Sequence, residues 1–158
     1  MIDERKAGFL RRSPLYELTD DEIEHLKAEI RMIGADESLF RFNSGPQTSF
    51  KDSEHVIHVC MDVFPDKDSL HPRSRMSERA VLAHEYFGHY LFAPSRFETG
   101  DWRDEMRASY IAAIRAPNLS DEDRSYLIQD AYERAKEHGV DIRYSRRAVE
   151  IVYGIRKG

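Results

Sequence analysis

In the stretch Ala83-His84-Glu85-Tyr86-Phe87-Gly88-His89-Tyr90, two imidazoles stand five residues apart and a carboxylate follows the first of them. Imidazole nitrogens are good zinc ligands, and a carboxylate beside one can polarise a water on the metal. Two ligands on one helix usually lie four residues apart, about 40° round the axis. Five steps open that angle to about 140°, so on a regular α-helix His84 and His89 would not face one ion. A π-bulge, which inserts one residue into a helical turn, would absorb the difference. Gly88 stands where such a distortion would meet least steric resistance. The expectation is therefore a helix widened between Glu85 and His89, with Gly88 at or next to the distortion.

A zinc site built for hydrolysis usually has three protein ligands and one open position. The segment Trp102-Arg103-Asp104-Glu105-Met106-Arg107-Ala108 opens the next helix, and Glu105 lies one turn in. A short connection over 93–101 would let that helix fold back beside the histidines. Glu105 leads as third ligand, with Asp101, Asp104 and Glu98 competing and His71 or His58 as histidine alternatives. Hydrolysis of an acyl bond also needs a donor for the developing oxyanion. Tyr110, Tyr144, Tyr153 and His71 are the candidates.

The elements that must position these groups follow from pattern. Residues 1–18 are polar, contain Pro14 and show no period, which describes an N-terminal arm. Thr19-Asp20-Asp21-Glu22 reads as a capping box, Ile23, Leu26, Ile30 and Ile33 recur at helical spacing, and Gly34 ends the helix. Leu39–Phe42 and the run 54–64 are β-rich and bounded by turn residues. Ser77 caps a helix to about Phe92, a second helix spans Trp102–Ala116 before Pro117, and Ser120 opens a third that closes at Gly139. Ser145 caps a last helix carrying Ala148, Val149, Ile151, Val152 and Ile155. The expected fold is α+β, a small antiparallel sheet packed with about five helices, with one domain over 19–158.

Bulk properties narrow the function classes. The 158-residue chain has 24 basic and 29 acidic residues and a net charge of −5. A mixed, slightly acidic surface argues against a nucleic-acid partner, and the clusters Arg11-Arg12 and Arg143, Arg146, Arg147 read as solvated faces. The single cysteine, Cys60, excludes an intrachain disulfide and a cysteine-type zinc site. The N-terminal residues lack the apolar stretch of a signal peptide, and no window approaches a membrane span. A cytoplasmic protein, or a domain delivered within a larger secreted one, is expected, with no membrane partner.

His84-Glu85-Tyr86-Phe87-Gly88-His89 resembles the H-E-x-x-G-H motif of dipeptidyl peptidase III-type zincins, and Asp104-Glu105-Met106-Arg107-Ala108-Ser109 is similar to their later E-E-x-R-A-(E/D) helix. The likeness covers about 77–110, with Asp104 and Ser109 departing from the pattern. In size, and in the lead-in Met76–Ala83, the chain looks more like compact HExxGH metallopeptidase domains of polymorphic toxins and phage or plasmid-borne proteins. The resemblance implies a minimal zincin-like fold in which His84, His89 and Glu105 bind Zn²⁺ and Glu85 is the general base. The activity expected is hydrolysis of a peptide or protein substrate by metal-activated water. The alternatives are an inactive zincin-like binding module and a zinc hydrolase of a non-peptide amide.

Overall fold

The computed structural model describes residues 9–43, 45–66, 68–93, 97 and 100–140. The helix expected after Ser145 lies outside the described residues, as do Pro94, Glu98, Arg143, Tyr144, Arg146, Arg147 and Tyr153. Helix α1 (Asp20–Met32) begins on the capping box, whose two bonds are both made. The Glu22 N–H donates to Thr19 Oγ1 at 3.1 Å and the Thr19 N–H to Glu22 Oε1 at 2.8 Å. Leu26, Ile30 and Ile33 are fully buried, and Gly34 takes the left-handed conformation (φ +76°) that stops a helix.

Three strands follow: β1 (Phe40–Phe42), β2 (Ser49–Lys51) and β3 (Val56–Val59). They lie in the order β1-β3-β2. Phe50 on β2 stands opposite Ile57 in an antiparallel pair, while Phe40 on β1 stands opposite the same Ile57 in a parallel pair. The α+β class with a small sheet holds, but the sheet is mixed rather than antiparallel. The chain crosses from β1 to β2 and back to β3 between them, which leaves β1 and β3 running the same way.

The run 54–64 is also shorter as a strand than its composition suggests. After Val59 the chain bends, because Thr48 Oγ1 accepts the Cys60 N–H at 2.9 Å and Asp62 Oδ1 accepts the Thr48 N–H at 2.7 Å. Met61–Val63 then form a 3₁₀ turn whose Met61 and Val63 are buried beside Phe64. Apolar character was thus a record of burial, not of strand length.

The helical half starts with a short helix α2 (Pro72–Arg75) and α3 (Glu78–Ala83). Ser77 caps α3, its Oγ accepting the Ala80 N–H at 3.3 Å and its N–H donating to Asp123 Oδ1 at 3.0 Å. The chain continues without a break through a π-helical turn at His84–His89 and a 3₁₀ turn at Tyr90–Phe92. Helix α4 (Trp102–Arg115) is capped by Asp101 and α5 (Asp121–Glu137) by Ser120. Gly139, at φ +71°, follows α5. α4 lies between α5 and the histidine turn, and small residues there (Ala108, Ala112, Ala113) let it approach both closely. Of the arm, Phe9 packs on His25 and Phe64, and Leu18 is buried. No helix among the described residues is long and apolar enough to cross a membrane.

Candidate metal centre

The widened turn expected between the histidines is present, and it spans His84 to His89. Tyr90 closes it, its N–H reaching back to the carbonyls of Glu85 and Tyr86. At His89 the backbone departs from helical values, with φ at −111°. The rings of His84 and His89 consequently meet edge to face, with centroids 4.9 Å apart and planes at 71°.

Gly88 has a different role from the one expected of it. Its φ is not in the left-handed region, so the turn does not depend on backbone freedom that only glycine has. A Cβ at residue 88 would instead lie 2.5 Å from the Ala108 Cβ and 2.6 Å from its Cα. The bare glycine admits the backbone of α4 to the histidine turn. Glu105 and Ser109, four residues apart, share a face of α4, and Ala108 lies beside them, three residues after Glu105 and next to Ser109. The contact at Ala108 therefore delivers both side chains to the imidazoles.

Three potential ligand groups converge as a result. His84 Nε2 and His89 Nε2 lie 3.1 Å apart. Glu105 spans them, with Oε2 3.0 Å from His84 Nε2 and Oε1 3.3 Å from His89 Nε2. A tetrahedral zinc ion with bonds of about 2.0–2.1 Å needs neighbouring ligand atoms about 3.3 Å apart, so this triangle has a fitting size. The other nitrogen of each ring is also held. His84 Nδ1 lies 2.8 Å from Ser109 Oγ, and Ser109 Oγ donates to Asp130 Oδ2 at 2.7 Å. His89 Nδ1 lies 3.2 Å from Asp104 Oδ2. Such partners fix the tautomer with the proton on Nδ1, leaving a lone pair on each Nε2 for an ion.

The electrostatics call for positive charge at this point. Burial disfavours a charged His89, yet hydrogen bonds to Asp104 and Glu105 outweigh it and push the imidazole up to about 10. Burial likewise works to raise the Glu105 carboxyl, but the hydrogen bonds from His84 and His89 hold it well below the usual carboxylate range. A proton on His89 or a divalent cation satisfies the same demand.

Glu85 is buried, and its Oε2 accepts the Phe50 N–H of β2 at 2.9 Å. Burial pushes its carboxyl up, against the pull of the two imidazoles. The group therefore lies beside the ligand triangle, tied to the sheet. A cleft opens over it. One lobe of about 280 Å³ is lined by Gln47, Phe50, Lys51 and Phe97 beside Glu85 and His89. The other, of about 310 Å³, has Arg11, Arg73 and Arg134 beside His84 and Glu85, and Glu105 borders both.

The remaining sequence candidates lie elsewhere or act differently. Asp101 is a half-buried cap held by Arg103, which lowers its carboxyl to about 2. Asp104 supports His89 and is itself held by Arg107 at 2.6 Å. His58 bonds Asn43 and Glu54 on β3, and the exposed His71 pairs with Glu133 at 2.9 Å. Tyr110 packs on the core and is not among the residues lining the cleft. β3 is the central strand of the sheet, and β2 is the edge strand that borders the cleft. Reading Arg11 as solvated is likewise corrected: it is half-buried in the cleft wall. Sequence reasoning missed Asp130 and Arg134, whose signal was only a buried acid on α5 with an arginine four residues on, 2.9 Å away.

Comparison with protein-family models, with curated proteins and with solved structures finds no match for this chain.

Proposed function

We propose that this chain is a zinc-dependent peptide hydrolase with His84, His89 and Glu105 as metal ligands and Glu85 as general base. The observation that carries the reading is the convergence of both Nε2 atoms and the Glu105 carboxylate, at 3.0–3.3 Å, on a turn widened between the histidines. Departure from regular helix at a cluster of ligating types is a mark of function. Bound there, zinc would supply a Lewis acid that polarises a carbonyl and activates water.

The chain's own groups do the rest. Ser109 and Asp104 orient the imidazoles through their Nδ1 atoms. Glu85, held by the Phe50 N–H, takes a proton from the attacking water and returns it to the leaving amine.

Glu85→Gln separates base from ligand. The amide keeps an acceptor for the Phe50 N–H but is a poor base, so the variant should retain one zinc per chain and lose hydrolysis by about 10²-fold or more. His84→Ala and His89→Ala should each lose tight zinc binding, measured by metal content after desalting. Wild-type turnover in Glu85→Gln, or stoichiometric zinc in both histidine variants, would end this reading.

A further inference from the structure

Arg11 is the one cleft guanidinium whose described partners are all neutral. Its Nε donates to the Phe64 carbonyl at 3.0 Å and its Nη2 to the Asp62 carbonyl at 2.8 Å. Its own backbone N–H is held by the Pro65 carbonyl at 3.3 Å. The group is thus fixed in the wall of the cleft, with two of its five N–H donors in use and no carboxylate paired to it among the described residues. What remains, Nη1 and one hydrogen on Nη2, is the fork that grips a carboxylate through two parallel bonds.

The surroundings do not neutralise it. Arg73 and Arg134 share the carboxylate of Asp130, at 3.2 and 2.9 Å, and Asp130 also takes the Ser109 hydroxyl. The Asp62 carboxylate faces Thr48, accepting from its N–H at 2.7 Å and its hydroxyl at 2.6 Å. Arg73 also pairs with Glu137 at 3.3 Å, so the carboxylates beside Arg73 and Arg134 are committed to those two side chains and not to Arg11. The opposite lobe differs in kind, with Phe50, Phe97 and Ala93 in its wall, Asp52 and Asp104 beside them, and no arginine among the described residues.

We propose that the Arg11 lobe is a carboxylate-recognition subsite, so that the site takes peptides carrying a carboxylate close to the bond that is cut. The carboxylate belongs either to the C-terminus of the peptide or to an acidic side chain. Cleavage of that bond rests on the hydrolase reading, whereas binding of the carboxylate does not.

The test uses the full chain as Glu85→Gln with equimolar zinc, so that no turnover disturbs binding. Acetyl-Ala-Ala-Glu, acetyl-Ala-Ala-Gln and the C-terminal amide of each are titrated by calorimetry. Neutralising the recognised carboxylate should weaken binding by about tenfold or more. Loss on amidation identifies the C-terminus, and loss on Glu to Gln identifies the side chain. Arg11→Met should erase that difference and leave the neutral peptide bound within about twofold. Equal affinity for all four peptides, no binding of acetyl-Ala-Ala-Glu at millimolar concentration, or equal weakening of every peptide by Arg11→Met overturns the subsite. Because Arg11 also holds two carbonyls, Arg11→Met could misfold, in which case the four-peptide comparison on the Arg11-intact chain decides alone. Wild-type hydrolysis of the same peptides separates the two claims: cleavage without carboxylate preference removes the subsite and keeps the hydrolase, and carboxylate-dependent binding without cleavage does the reverse.

Discussion

Helix α1 and the helix that carries the two histidines start with the same device and then diverge. Each is opened by a hydroxyl cap, Thr19 in one and Ser77 in the other. α1 has a single demand to meet, the burial of Leu26, Ile30 and Ile33, and a regular α-helical period meets it. The second helix buries Ala80, Leu82 and Ala83 in the same manner. It must also turn His84 and His89, five residues apart, toward one point, and no regular helix does both. The period breaks where the second demand begins. Regularity here marks packing, and its local loss marks the residues that need a common focus.

Substitutions at the two helices should break or sharpen that contrast. The largest effect is expected at Gly88→Ala, since the new Cβ would meet backbone as well as side chain of Ala108, down to 2.5 Å. Overpacking against backbone has no cheap relief, so unfolding in denaturant should show a loss of about 3 kcal/mol, with zinc affinity lost in parallel. Replacing Ala108 with Gly in the same chain should restore only part of it, because the Ala108 Cα and carbonyl remain in the way. Normal stability of Gly88→Ala would show that α4 does not depend on this clearance.

Ser109→Ala should be milder and more selective. It removes the link at 2.8 Å from His84 Nδ1 and one of the donors to Asp130, which keeps Arg73 and Arg134. Zinc affinity, measured by competition with a chromophoric chelator, should fall about 10–100-fold, the usual range for a lost partner behind a ligand. An unchanged affinity would mean that Ser109 does not set the orientation of His84. The smallest effect belongs to α1. Thr19→Ala deletes one half of the capping box and should cost about 1 kcal/mol of stability. Zinc affinity should not move, and if it does, α1 and the histidine turn are coupled after all.

What could be read from the sequence follows the range of the forces involved. The caps at Thr19, Ser77 and Ser120 and the stops at Gly34 and Gly139 act within a few residues, and all appear as expected. The widened turn was also legible, since the spacing of His84 and His89 states the geometric problem locally. Strand β2 was not, because Ser49-Phe50-Lys51 is too short to show a period and exists by pairing with β3. The parallel pairing of β1 with β3 joins residues 17 apart, Phe40 with Ile57, and no local pattern encodes it. Asp130 and Arg11 reach the site from the middle of α5 and from the N-terminal arm, through side chains whose types alone look like surface residues. The two positions that depart from the resembled motif, Asp104 and Ser109, turn out to be those that touch the outer nitrogens of the imidazoles.

The meeting of Gly88 with Ala108 has a consequence for rotamer freedom. Neither residue has a χ angle, so the spacing between α4 and the histidine turn cannot be retuned by a side chain changing rotamer. At most helix crossings a leucine or methionine can swing aside and let the backbones drift by fractions of an ångström. Here the backbones bear directly on one another. The backbones that carry Glu105 and the two imidazoles are therefore held at one spacing, which only the movement of a whole helix can change. Any adjustment of the ligand atoms is left to the χ angles of the three ligands themselves.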